Sequence, residues 1–174
     1  KMILSKNNLR HITGNAGLSI PGDHVFELPE KVLQFGTGVL LRGLPDFIIN
    51  DANDKGIFNG RIVVVKSTSN GDTDAFNEQD GLYTVSVRGI EDGKNVISNH
   101  IVASVSRVLS ASGEWEEILQ CAASADMQVI ISNTTELGIT LTKDNVHASP
   151  PQSFPGKLLA FLYQRFKIFN GDIE

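Results

Sequence analysis

Val32-Leu33-Gln34-Phe35-Gly36-Thr37-Gly38-Val39-Leu40-Leu41-Arg42-Gly43 is the stretch that decides the fold. A short apolar run from Lys31 to Phe35 ends in glycine, the pattern of a strand buried in a parallel sheet. Leu40, Leu41, Leu44, Phe47, Ile48 and Ile49 then recur at helical spacing, which predicts one amphipathic helix over about 39–55. Pro45 falls near its first turns, where a missing N–H costs least, and Gly56 is placed to end it. Between strand and helix, Gly36 and Gly38 let the backbone turn tightly without a Cβ in the way of a ligand phosphate. Arg42, one turn further on, carries the charge for a charge-assisted contact. A strand, this turn and a helix in sequence point to a dinucleotide cradle. A turn with no ligand, or one for another adenosine ligand such as S-adenosylmethionine, remains open on these residues alone.

Outward from this element, strands and helices alternate. Arg61–Lys66 is a continuous β-branched run and predicts a second buried strand. Residues 67–80 read as a polar loop. Leu82–Arg88 alternates with period two, Glu91-Asp92-Gly93-Lys94 is a turn, and Asn95–Ser106 supplies one or two further strands, together a β-hairpin insertion. Ser112 or Gly113 starts a helix running to Ala123, with Trp115 as a core residue and acids in its first turn. Gln128–Ser132 predicts another buried strand, Ala148–Gly156 a loop, and Leu158–Phe169 an amphipathic helix. The sum is an α/β fold, a Rossmann-like mostly parallel sheet with an antiparallel hairpin insertion. Residues 1–28 read as an irregular N-terminal arm with room for one short helical turn, and 29–174 as the nucleotide-binding domain.

Composition narrows the partners. The net charge is −5 over 174 residues, so there is no basic field for nucleic acid or an anionic membrane. No apolar run is long enough to span a bilayer and no signal-peptide pattern opens the chain, so a cytoplasmic protein is expected. The single cysteine, Cys121, excludes an internal disulfide and reads as a small apolar residue on a buried helix face. His11, His24, His100 and His147 have no metal spacing, and no metal site is expected.

Two further segments bear on a cofactor. The end of the second strand meets the adenosine ribose in such folds; here it is Lys66-Ser67, with no acid, which leans toward NADP or a relaxed preference. Lys66 as an ordinary solvated strand end is as good a reading, and Asp72 or Asp74 could still reach the ribose. Ser132-Asn133-Thr134-Thr135-Glu136 follows a strand end, where ligands sit in open α/β sheets. It can serve the nicotinamide-side ribose or line a substrate pocket, or simply be an Asx-type turn with a helix cap.

Several ordered motifs together resemble one family, the polyol-specific long-chain dehydrogenases that include mannitol dehydrogenases. They are Leu33–Gly43, Gln79-Asp80-Gly81-Leu82-Tyr83-Thr84, Ser132–Ile139 and Phe166–Gly171, and the last two are similar to the uronate-handling branch. The resemblance covers the chain from about Leu28 onward. It implies hydride transfer between NAD, with NADP as the alternative, and a sugar acid or related polyol. Cofactor contacts would come from Phe35, Gly36, Thr37, Gly38, Val39, Leu40, Arg42, Lys66, Ser67, Asn133, Thr134 and Thr135, with Glu136 on the substrate side. It implies, too, a proton-donating lysine supported by asparagine and histidine in a helical C-terminal domain. No residue here matches that Lys-x-x-x-x-Asn-x-x-His pattern, so no catalytic residue is assigned. The chain is then expected to be the cofactor half of a longer enzyme, inactive alone, with its own C-terminal domain as partner. A non-catalytic dinucleotide sensor is the competing expectation.

Overall fold

The computed structural model describes residues 3–14, 17–67, 73–145 and 147–171. Asp72, the side chain of Asp74 and the end of the Asn170-Gly171-Asp172 turn lie outside them. The N-terminal part forms α1 (Lys6–Leu9), β1 (Leu18–Ser19) and a 3-10 turn at Asp23–Glu27. Then come β2 (Glu30–Phe35), α2 (Val39–Gly43), α3 (Pro45–Asp54), β3 (Arg61–Lys66) and α4 (Asp74–Glu78). The rest is β4 (Tyr83–Glu91), β5 (Lys94–Val102), β6 (Val105–Ser110), α5 (Trp115–Cys121), β7 (Val129–Ser132) and α6 (Phe154–Ile168).

Strands β6, β3, β2 and β7 lie side by side in that order, all parallel. Every residue of β3 is buried, because it is central and covered on both faces. Successive side chains alternate between those faces. Leu33, Phe35, Val63 and Val65 pack with Trp115, Ile118 and Phe161 on the side of α5 and α6. Val32, Ile62 and Val64 pack with Val105, Val108, Ile49 and Phe58 on the side of α3. Each such side chain taken fully out of water contributes about 1.5–3 kcal/mol before entropy is subtracted. The α/β architecture expected from the sequence is present, with β4 and β5 as the antiparallel insertion. Asp92 and Gly93 turn the hairpin, both at positive φ (50° and 74°), as a two-residue turn of this hand requires.

Several local expectations are corrected. The helix expected over 39–55 is two helices, broken at Leu44 (φ −121°, ψ −82°). Pro45 disfavours the helical region for the residue before it, and that steric effect outweighs the apolar periodicity. The polar stretch 67–80 contains α4, and α6 begins at Phe154 rather than Leu158. There the Ser153 side chain accepts the Gly156 N–H at 3.1 Å as an N-cap. β7 forms where expected, but among the described residues it is a sheet edge paired only with β2, and Val129 and Ser132 are exposed. The N-terminal segment is packed: Leu9 and Val25 are buried against Leu82, Ile101 and Ala103 beneath the hairpin, and β1 pairs in parallel with β5.

Candidate functional site

The chain climbs outward from β2 to β3 to β6, then returns to the opposite flank of β2 to make β7. The order therefore reverses between β2 and β7, and in open α/β sheets ligands bind in the crevice outside the strand carboxyl ends at such a reversal. Phe35 pairs with Val65 on one side and with Ser132 on the other, so the three strand ends lie level. Three predicted segments are thereby brought together: 36–42, Lys66-Ser67 and 132–136.

The two glycines of the turn have different reasons to be glycine. Gly36 adopts φ +120°, a conformation that other residues rarely reach, and a Cβ there would sit 3.1 Å from Leu41 Cδ1. Its N–H donates to the Val65 carbonyl at 2.9 Å, which pins the turn to β3. Gly38 has an ordinary φ of −64°, and a Cβ built on it meets nothing within 4 Å. Nothing among the described residues requires glycine at 38; open space beside an exposed backbone suits the close approach of a ligand. The N–H groups of Thr37, Gly38, Val39 and Leu40 make no hydrogen bond to another described residue. The helix behind them spans only the five residues Val39–Gly43, so its dipole is small and the local N–H groups carry most of the attraction for an anion.

Arg42 does not project freely into solvent. Its guanidinium lies 5.6 Å from the Phe76 ring centroid and 5.8 Å from that of Tyr83. These three residues, with Ala75, Gln79 and Leu82, line a cleft of about 110 Å³. Lys66, at the end of β3, is buried at 9% exposure, not the solvated strand end of the simpler reading; Ser67 after it is half-buried. Ser132, Asn133, Thr134, Thr135 and Glu136 are all exposed. Their bonds are local, with the Gly138 N–H donating to the Thr135 carbonyl at 2.9 Å and Thr140 Oγ1 donating to the Glu136 carbonyl at 3.1 Å.

Sequence reasoning did not find the polar groups beneath the turn. Gln34 and Asp46 are fully buried. Asp46 Oδ2 accepts from Gln34 Nε2 at 3.4 Å and from the Tyr83 hydroxyl at 3.2 Å. Burial pushes the Asp46 carboxyl up to about 6, against the pull of the Gln34 and Tyr83 hydrogen bonds and the Arg42 charge. Burial, together with the neighbouring Asp46 carboxylate, raises the Tyr83 phenol as well. One signal in the sequence pointed here: a lone amide, Gln34, inside the otherwise apolar run Val32–Phe35.

The model of the mannitol dehydrogenase Rossmann domain matches residues 30–172. An altronate oxidoreductase of Halalkalibacterium halodurans is 44% identical over 143 residues, 81% of this chain and 28% of the relative. That of Bacillus subtilis is 43% identical over 151 residues, 86% of this chain and 32% of the relative. The chain thus spans about a third of the length of the curated relatives it matches. Among solved structures, a Pseudomonas fluorescens mannitol 2-dehydrogenase, in ternary complex with NAD and D-mannitol, superimposes with a TM-score of 0.80 at 21% identity. The overlap covers 95% of this chain and 36% of that one. At that identity it speaks for the fold alone, and the fold it shows is the one built above from strand order. The chain belongs to the mannitol dehydrogenase family and forms its Rossmann domain.

Proposed function

We propose that this chain is the cofactor-binding domain of a cytoplasmic oxidoreductase that reduces D-tagaturonate to D-altronate with NADH in galacturonate breakdown. The observation that carries the cofactor reading is Gly38, a residue with no conformational need to be glycine, opening onto the crevice between β2 and β7. The substrate reading is supported by the altronate oxidoreductases at 44% and 43% identity. The cofactor is taken as NAD, with NADP as the alternative; the mannitol 2-dehydrogenase that shares the fold is a complex with NAD.

In this reading the backbone of Phe35, Gly36, Thr37, Gly38, Val39 and Leu40 receives the pyrophosphate, and Arg42 adds charge. Lys66 and Ser67 meet the adenosine ribose; Asn133, Thr134 and Thr135 meet the nicotinamide-side ribose, with Glu136 toward the substrate. A bound nicotinamide dinucleotide supplies the hydride to the keto carbon. The proton for the developing alkoxide comes from outside these residues, in the remainder of a longer protein. The test pairs calorimetry with NADH against an NADH-oxidation assay of the longer protein on tagaturonate, fructuronate and fructose. Tagaturonate should turn over fastest. Faster fructose or fructuronate turnover would reassign the substrate, and absence of NADH binding would remove the cofactor reading.

A further inference from the structure

Beneath the Gly36–Gly38 turn, three elements that are distant in sequence meet through polar groups. β2 contributes Gln34, the first turn of α3 contributes Asp46, and the start of β4 contributes Tyr83. The Gln34 amide donates to the Gly36 carbonyl at 3.3 Å as well as to Asp46 Oδ2. The Tyr83 hydroxyl lies 3.1 Å from the Arg42 carbonyl and 3.2 Å from Asp46 Oδ2. Both ends of the 36–42 segment are therefore tied to one buried carboxyl group.

This arrangement is costly for a core. Gln34 Oε1, Asp46 Oδ1 and Arg42 Nε are buried with no hydrogen-bond partner among the described residues, and unsatisfied buried polar groups destabilise a fold. Apolar residues of the same volume would make a more stable junction. What the polar set supplies instead is direction, since it fixes where two carbonyl groups, and hence the N–H groups between them, point.

We propose, on the dinucleotide reading of the turn, that Asp46 and Tyr83 are positioning residues whose hydrogen-bond chain, extended by Gln34, holds the Gly36–Arg42 backbone in the shape that receives the pyrophosphate.

The proton count gives this chain a testable signature. The Tyr83 hydroxyl has one proton and faces two acceptors. With Asp46 ionised, that proton is shared between its carboxylate and the Arg42 carbonyl. With Asp46 protonated, Asp46 donates to the Tyr83 oxygen and Tyr83 donates wholly to the Arg42 carbonyl. The charged or titratable groups facing Asp46 are Arg42 from α2 and Tyr83 from β4. β2 brings only the Gln34 amide, and Ser104, just before β6, donates to the Asp46 backbone carbonyl at 2.8 Å. Burial raises the Asp46 carboxyl toward neutrality, so both proton states lie within reach. The ionised state puts a negative charge under an anion site and draws on Arg42, so it opposes phosphate binding.

The experiment is NADH titration by fluorescence between about pH 5.5 and about pH 7.5 on the wild-type chain, Tyr83→Phe and Asp46→Asn, with thermal melts of each. The wild type should bind more weakly as pH rises. Tyr83→Phe should raise Kd about five-fold without abolishing the fold, as expected for one lost hydrogen bond. Asp46→Asn should flatten the part of the pH dependence that the wild type shows near pH 6. Folded variants that both keep the wild-type Kd and pH slope would overturn the proposal, as would lowered melting temperatures with unchanged Kd. Should Asp46→Asn fail to fold, Tyr83→Phe decides alone, because it removes a single oxygen at constant shape. A wild type that binds no NADH at any pH would overturn the dinucleotide reading itself, and is told apart by that result.

Discussion

The Gly36–Gly38 turn leaves β2 over a polar cluster whose Gln34 and Asp46 are fully buried, whereas Ser132–Glu136 leaves β7, its neighbour, with every residue exposed. Both segments stand at the carboxyl ends of adjacent strands and both face the same crevice. The first is held by long-range contacts: Gly36 to β3, Gln34 to α3, and Arg42 to the hairpin through Tyr83. The second is anchored at Ser132 by its pairing with Phe35, and beyond it, among the described residues, by bonds no further than four residues along the chain. The difference lies in the strands beneath. β2 is flanked on both sides, whereas β7 has one strand neighbour among the described residues. A site half rigid and half local has one part whose geometry is independent of further partners, and one part whose geometry is not.

Truncating a side chain on each side gives the largest contrast. Leu33, beneath the first segment, is fully buried, and Leu137, beside the second, is 87% exposed. Leu33→Ala should cost about 3 kcal/mol through lost burial and a residual cavity. Leu137→Ala should change stability by less than about 0.5 kcal/mol. Urea denaturation of both variants measures this. Equal losses would mean that the segment after β7 is as firmly built as the turn after β2.

The glycines separate shape from ligand access within the first segment. Gly36→Val forces a branched side chain into φ +120° and toward Leu41, and should cost about 1–3 kcal/mol of stability. Gly38→Val meets open space at an ordinary φ, so it should leave the melt within about 0.5 kcal/mol of wild type and still abolish NADH binding. A Gly38→Val protein that binds NADH as tightly as wild type would remove the pyrophosphate from this turn.

What could be read from the sequence follows the same division. Parallel strand β3 announces itself by an unbroken apolar run and β2 by one broken only at Gln34, the hairpin by period two with an Asp-Gly turn, and the glycine turn by its place between strand and helix. These are local signals. The Asp46–Tyr83 contact joins residues 37 positions apart, and each partner has an innocuous local reading, an acid in a first helical turn and an aromatic entering a strand. The break at Leu44 was concealed because the apolar spacing continues across it; only the steric demand of Pro45 on its predecessor reveals it. The exposure of β7 could not be read from Val-Ile-Ile at all, since an apolar run marks a strand but not how many neighbours pair with it.

The smallest expected effect concerns pH, and it tests whether the buried side of the comparison carries the titration. A carboxyl group whose folded value is raised from 3.8 to about 6 binds protons more readily in the folded state. Its contribution to stability is therefore fully present below about pH 4 and is lost as pH rises through about 6. A shift of this size corresponds to at most about 3 kcal/mol. Relaxation around Asp46 and the nearby Arg42 charge should reduce the observed change to about 1 kcal/mol. Wild type should thus lose stability between about pH 4 and about pH 7 relative to Asp46→Asn, which has no proton to lose there. If Asp46→Asn instead lost stability over this range just as the wild type does, the buried carboxyl beneath the turn would not be the group that titrates, and the polar cluster under β2 would not be what sets the pH dependence of this half of the crevice.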